Sequence, residues 1–304
     1  MRFAFACSNR IDDPYFWMGQ EFCREFTRLG MPMEVYDWAV ISPESYFDGV
    51  FIADLDSYWK WHKTVSWPRN KRKFTIFQCG EVDAQPNGQT GLAEEEIAKY
   101  LGISLVCFTH DWIHETFNLR HGDHHDERTM TLAHGIPFRA IRPPAAPRPQ
   151  QFADKTNLVF YGDPTERQKD KLQNLGRLLG QDEYRINIIN PAGSQPSNWE
   201  NYLYYADYGL GIIADEGSLK ANPAYFTYMA AGLPVVFETG HGDWIVDEMQ
   251  HGLKAPKNVE EFAITIANNR ERTWDRAKCQ MRMQEQHTWT HRARQLHKRI
   301  VEML

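Results

Sequence analysis

Apolar residues fall into two rhythms along this chain: short unbroken runs, and longer stretches in which they recur at every third or fourth position. The runs Arg2–Cys7, Met33–Trp38, Gly49–Ala53, Phe74–Cys79, Ile103–Phe108 and Thr129–Ala133 predict strands. Unbroken runs mark strands buried on both faces, the habit of parallel sheets covered by helices. Tyr15–Leu29, with Phe16, Phe22, Phe26 and Leu29 near helical spacing and Gly30 as its stop, predicts a helix, as do Ala93–Leu101 and Ile113–Phe117. The second half repeats the scheme. Strands are expected at Asn157–Tyr161, Arg185–Ile189, Tyr208–Ala214 and Val235–Phe237, and helices at Thr165–Leu179, Asn198–Tyr205, within Asn222–Gly232, at Ile245–Gln250 with Gly252 as cap, at Val259–Asn268 and at Glu271–Leu304. The proline-rich Arg142–Pro149 reads as a linker. The expectation is an α/β protein of two lobes, residues 1–142 and 151–280, followed by a terminal helical segment, 281–304.

Composition supports two lobes and narrows the partners. A chain of 304 residues with 42% hydrophobic and 24% charged residues can bury two cores of ordinary domain size. A net charge of -6 argues against a general nucleic-acid coat. Cys7, Cys23, Cys79, Cys107 and Cys279 are scattered without a CxxC, which points to a reducing, cytoplasmic setting and away from zinc. The run from His121 to Glu127 is rich in histidine but lacks spaced partners, so no metal is assigned to it. No signal-peptide core opens the chain, and no run is long enough to cross a bilayer.

Parallel sheets bind ligands where loops leave the carboxyl ends of their strands. In the first lobe that rule selects the loop Gly80–Gly88, where Glu81 or Asp83 could act as a general base; solvated loop acids are the competing reading. It also selects Thr109-His110-Asp111, where helix capping competes. The first loop lacks a G-x-G-x-x-G phosphate fingerprint, so the nucleotide is expected in the second lobe. There the turn Gly162-Asp163-Pro164 precedes a helix bearing Arg167, Lys169 and Lys171, and Asp215-Glu216 ends the strand before Asn222.

The block from Gly209 to about Glu238, with its Ala-Ala-Gly-Leu-Pro-Val-Val frame at Ala230–Val236, resembles the donor segment of GT-B glycosyltransferases of the GT4-like, group 1 (CgeB-type) kind. The tail His287-Thr288-Trp289-Thr290-His291-Arg292-Ala293-Arg294 is similar to their closing segment, and His134-Gly135-Ile136-Pro137-Phe138 to the turn closing their first lobe. The resemblance implies two Rossmann-like lobes facing across a cleft, with the last helix crossing back to the first. It implies transfer of a sugar from a nucleoside diphosphate sugar, UDP-linked more than GDP-linked, to a hydroxyl with retention, and no metal or tightly bound cofactor. The implied nucleotide-sugar contacts are Gly162, Arg167, Lys169, Asp215, Glu216, Lys220, Asn222, Tyr225 and Thr227, with His110, Glu81 and Asp83 as the catalytic set. Thr227 stands where many relatives have Glu, and Pro223-Ala224-Tyr225 where an Arg or Lys often follows the Asn; Lys220 could supply that charge. The acceptor is expected to be a glycan or small molecule. The aromatic and basic run of Tyr58–Lys63 and Trp67–Lys73 makes a hydroxymethylated DNA base the alternative, and a non-catalytic nucleotide-binding relative is the other.

Overall fold

The computed structural model describes residues 1–7, 15–36, 47–53, 74–79, 103–121, 127–133, 135–136, 148–190, 199–214, 224–240 and 243–304. The predicted helix at 93–101, most of the 142–149 linker, His134 and the 58–73 run lie outside them. The chain forms two compact units: unit 1 is Met1–Pro137, Gly217–Ala221 and Thr288–Leu304, and unit 2 is Phe138–Glu216 and Asn222–His287.

In unit 1, β1 (Phe3–Ala6), β2 (Met33–Tyr36), β3 (Gly49–Ile52), β4 (Phe74–Cys79), β5 (Leu105–Phe108) and β6 (Thr129–Thr131) form one sheet in the order β2-β1-β3-β4-β5-β6. Each pairing is parallel. The runs were unbroken because both faces are covered. Phe5 of β1 stacks on Phe51 of β3 at 4.9 Å and meets Phe22 of α1 (Phe16–Arg28) edge-on at 5.6 Å. The helical spacing of Met18, Phe22 and Phe26 puts all three in that core. α2 (Asp111–His121) follows β5 and is longer than its apolar spacing suggested.

In unit 2, β7 (Thr156–Tyr161), β8 (Tyr184–Ile189), β9 (Tyr208–Gly211), β10 (Val235–Glu238) and β11 (Gly252–Ala255) form a second parallel sheet, ordered β11-β10-β9-β7-β8. Its helices are α3 (Glu166–Leu179), α4 (Trp199–Tyr205), α5 (Ala224–Ala230), α6 (Trp244–Met249), α7 (Val259–Asn268) and α8 (Arg276–Gln286). The two Rossmann-like α/β sheets predicted from the pattern are therefore present.

Some element expectations are corrected. Gly252, expected as a helix cap, opens β11, which pairs Val235 with Gly252 and Glu238 with Ala255. The strand expected to reach Ala214 stops at Gly211, because the next carbonyls are taken by α3. The single helix expected over 271–304 is two: α8 ends at Gln286, and Thr288 caps a new helix, α9 (Trp289–Met303), by accepting from the His291 N–H.

α9 belongs to unit 1. Its Ala293, Leu296 and Ile300 join the core of β1 and α1, and the backbone N–H of Trp289 donates to Ile136 O at 3.0 Å. Glu25 on α1, almost fully buried, accepts from Arg28 at 2.6 Å and from Arg294 of α9 at 2.6 Å. The Arg28 hydrogen bond, against an opposing burial effect and with help from Arg294, lowers the Glu25 pKa from 4.5 to about 2. A carboxylate depressed in the folded state contributes stability above its unfolded pKa and loses it as pH falls through the folded value. Unit 1 is therefore expected to lose stability between about pH 4.5 and 2. Glu25→Gln should flatten this limb in denaturant titrations across that range, and an unchanged pH profile would refute the assignment.

Candidate functional site

The strand order of unit 2 has a reversal. β8 lies to one side of β7 and β9 to the other, so the chain leaves the carboxyl ends of β7 and β9 in opposite directions and opens a crevice there. The β7 side continues into Gly162, whose φ of 136° lies in glycine territory and whose N–H donates to Ile189 O at 2.8 Å. Thr165 then opens α3 with a capping box: its N–H donates to Gln168 Oε1 at 2.9 Å, and Gln168 N–H donates back to Thr165 Oγ1 at 3.4 Å.

The first turn of α3 is tied to the chain leaving β9. Thr165 Oγ1 donates to Ala214 O at 3.3 Å, Arg167 Nη1 to Ile213 O, and Gln168 Nε2 to Ile212 O at 2.7 Å. The second anchor is Glu238, the last residue of β10. Its fully buried carboxylate accepts from Arg167 Nη2 at 3.0 Å, from Lys171 Nζ at 2.8 Å and from the Ile213 N–H at 2.8 Å. Lys171 also donates to Lys257 O at 2.6 Å and lies over the Phe262 ring at 4.8 Å. Burial alone would raise the Glu238 pKa, but the bonds from Arg167, Lys171 and Ile213 outweigh it and hold the carboxyl below its usual range.

A third tie crosses the sheet. Tyr228 of α5 is fully buried, and its hydroxyl accepts from the Tyr161 N–H at 2.6 Å. The ring reaches there because residue 209 is glycine; a Cβ at 209 would stand 2.7 Å from it.

The predicted nucleotide-sugar residues separate into groups. Gly162 follows the carboxyl end of β7, and Arg167, roughly one-third exposed, bonds the chain leaving β9 and Glu238. Lys169 lies two positions on, about 200° around α3 from Arg167; exposed, it pairs with Glu166 at 2.6 Å. Tyr225 is buried with its ring edge-on to Phe237 at 4.2 Å, and Thr227 is half-buried on α5. Asp215, Glu216, Lys220 and Asn222 lie outside the described residues. Reading the sequence passed over Glu238 and Gln168; the one signal for Glu238 was a carboxylate closing an otherwise apolar strand at its carboxyl end.

In unit 1, His110 follows β5 and is buried. Burial first, then the charge of Arg292, against a raising backbone hydrogen bond from Thr109, pushes its pKa down to about 4. Near neutral pH it is an uncharged imidazole, able to accept on one nitrogen and donate from the other. Arg292, from α9, is itself buried. Glu81 and Asp83 lie outside the described residues. Among the described residues no group of three or more His, Cys, Asp or Glu side chains is placed to hold a metal ion, and no helix is long and apolar enough to cross a membrane.

No protein-family model matches the chain, and no curated protein matches it in sequence. Solved structures match it in fold. Anabaena HepE in complex with UDP-glucose aligns over 99% of this chain and 100% of its own, with a TM-score of 0.66 at 12% identity. Sucrose-phosphate synthase from Thermosynechococcus elongatus aligns over 100% of this chain and 99% of its own, with a TM-score of 0.66 at 12% identity. WaaG, a glycosyltransferase involved in lipopolysaccharide biosynthesis, covers 98% of this chain and 95% of its own, with a TM-score of 0.60 at 12% identity. The fold is the GT-B α/β class of these neighbours.

Removing the acid from a buried ion pair leaves its cations uncompensated, an effect of about 3–5 kcal/mol. Glu238→Gln is expected to lower the stability of unit 2 by that order in chemical denaturation. Adding Lys171→Met should recover part of the loss, and strictly additive effects would show that the two side chains do not act as a pair.

Proposed function

We propose that the protein transfers a sugar from a nucleoside diphosphate sugar, UDP-linked, to a hydroxyl acceptor. The observation that carries this reading is the crevice between β7 and β9, where a glycine turn, a capped helix start and a braced arginine converge. Backbone N–H groups at a helix start and an adjacent guanidinium stabilise phosphate oxygens, so a diphosphate leaving group fits that place without a metal. The neighbours support the same substrate class: HepE is bound to UDP-glucose, and WaaG is described as a glycosyltransferase.

In this reading Gly162 and Arg167 take the diphosphate, and Lys220 adds charge from the loop after β9. Asp215, Glu216, Asn222 and Thr227 take hydroxyls of the ribose or sugar. Tyr225 shapes the pocket from the core of α5, and Lys169 adds long-range positive potential. Unit 1 contributes the acceptor side. His110, uncharged at neutral pH, hydrogen-bonds a substrate hydroxyl, and Glu81 or Asp83 serves as base. We assign a retaining transfer to a glycan or small molecule in the cytoplasm. The net charge of -6 disfavours a DNA acceptor.

Calorimetric titration with UDP and UDP-glucose should show saturable binding, and incubation with a panel of UDP- and GDP-sugars should release nucleotide. Arg167→Ala and Lys220→Ala are each expected to weaken UDP binding about tenfold, or ~1.4 kcal/mol. Absence of UDP binding by the unmodified protein would overturn the reading, and UDP binding without turnover on any acceptor would leave a non-catalytic binder. Salt-sensitive association with duplex DNA would replace the glycan acceptor with DNA. The anomeric configuration of the product, read by NMR, tests retention.

A further inference from the structure

One side chain near the carboxyl ends of the unit 1 strands is out of keeping with the core around it. The strand registers align Cys7, Ala53, Gln78 and Cys107 in a row across β1, β3, β4 and β5. Cys7, Ala53 and Cys107 belong to the apolar core that α1 and α9 cover, as does Ile76, two positions before Gln78. Gln78 therefore lies on that face between two small neighbours, at the end of the sheet where parallel strands present their ligands.

Gln78 is 3% exposed, and Thr109, the first residue past β5, is 1% exposed. Thr109 stands two positions beyond Cys107, so alternation keeps it on the same face. From the register, the Gln78 and Thr109 Cα atoms are about 8 Å apart, close enough for one small group to touch both side chains. Among the described residues neither Gln78 Oε1 nor Thr109 Oγ1 has a hydrogen-bond partner, so the Thr109 hydroxyl is not spent on capping α2. A buried polar atom left unmatched destabilises the folded chain, and a ligand that supplies the missing bond removes that penalty.

The chemistry of the two atoms selects the ligand. An amide oxygen only accepts, so its partner must donate. Ionised phosphate and carboxylate oxygens also only accept and would leave Gln78 Oε1 unmatched, whereas a hydroxyl donates to it and can accept in turn from Thr109. A cationic donor is disfavoured by the charge of buried Arg292, which reaches His110 at this end of the sheet.

We propose that Gln78 and Thr109 hold a hydroxyl of an uncharged, polyhydroxylated ligand of the carbohydrate class between the carboxyl ends of β4 and β5. In the sugar-transfer reading, on which this assignment rests, that ligand is the acceptor, and the acceptor is thereby a neutral sugar.

Two variants test it on the whole protein. Gln78→Leu and Thr109→Val each remove the polar atom and nearly keep the shape. The probes are methyl glucoside, methyl galactoside and N-acetylglucosamine, followed by saturation-transfer NMR without nucleotide. Unmodified protein is expected to bind at least one of them saturably, and each variant to lose about tenfold or more in affinity. Removing an unmatched polar group does not weaken a fold, so both variants should melt at the temperature of the unmodified protein or above it. A lower melting temperature would assign the groups to the fold's own hydrogen bonding and overturn the site. Unchanged sugar affinity in either variant, or no saturable sugar binding by the unmodified protein, also overturns it. UDP binding by the unmodified protein separates the two readings: UDP bound with sugar affinity unchanged in the variants removes this site alone, and sugar lost in the variants without any UDP binding removes the transfer reading alone.

Discussion

Much of unit 2 depends on one buried carboxylate. Taking Glu238 out of water is unfavourable by several kcal/mol unless its charge is met at close range. It is met by Arg167 and Lys171 from α3 and by the Ile213 N–H from the chain leaving β9. That requirement joins three parts of the fold that the apolar core alone would leave free to slide. β10 supplies the acid, α3 both cations, and the exit from β9 a backbone donor. The strand reversal makes a crevice possible, and Glu238 ties the α3 start to the chain leaving β9.

The same pairing orders Arg167. A free arginine loses much rotamer freedom when it grips an anion. Here bonds to Ile213 O and Glu238 already orient the guanidinium plane. The two units treat buried titratable groups in opposite ways. Unit 2 holds Glu238 charged by surrounding it with donors, whereas unit 1 buries His110, so that its imidazole gives up its proton, with the charge of Arg292 adding to the effect. One arrangement maintains a fixed electrostatic frame, and the other leaves an uncharged, bifunctional hydrogen-bonding group.

The fold was legible because continuous apolar runs can hardly be anything but strands covered on both sides, as at Phe3–Ala6 and Val235–Glu238. β11 escaped notice because Gly252-Leu253-Lys254-Ala255 is short and only Ala255 is buried, so it lacks the apolar signature. The break between α8 and α9 was hidden because Gln286-His287-Thr288 contains no glycine or proline; a threonine cap does that work. At the crevice, Gly162 and Arg167 could be read from a turn followed by a base. Glu238 could not, since only the assembled sheet shows that its partners come from residues 67 and 71 positions earlier and from the chain leaving β9. Lys169, equally basic in sequence, differs from Arg167 by its angle around the helix.

The placement of α9 bears on how the protein comes into being during synthesis. Ala293, Leu296 and Ile300 complete a core whose other half, around Phe5 and Phe22, comes from residues far earlier in the chain. While ribosomes extend the chain, the β1–α1 half of that core waits with its apolar face uncovered until α9 has emerged. Unit 2, whose elements are contiguous apart from Gly217–Ala221, can close earlier. The β1–α1 segment, made well before α9, is thus finished only after it, and in that interval its uncovered phenylalanines are a surface open to chaperones and to self-association.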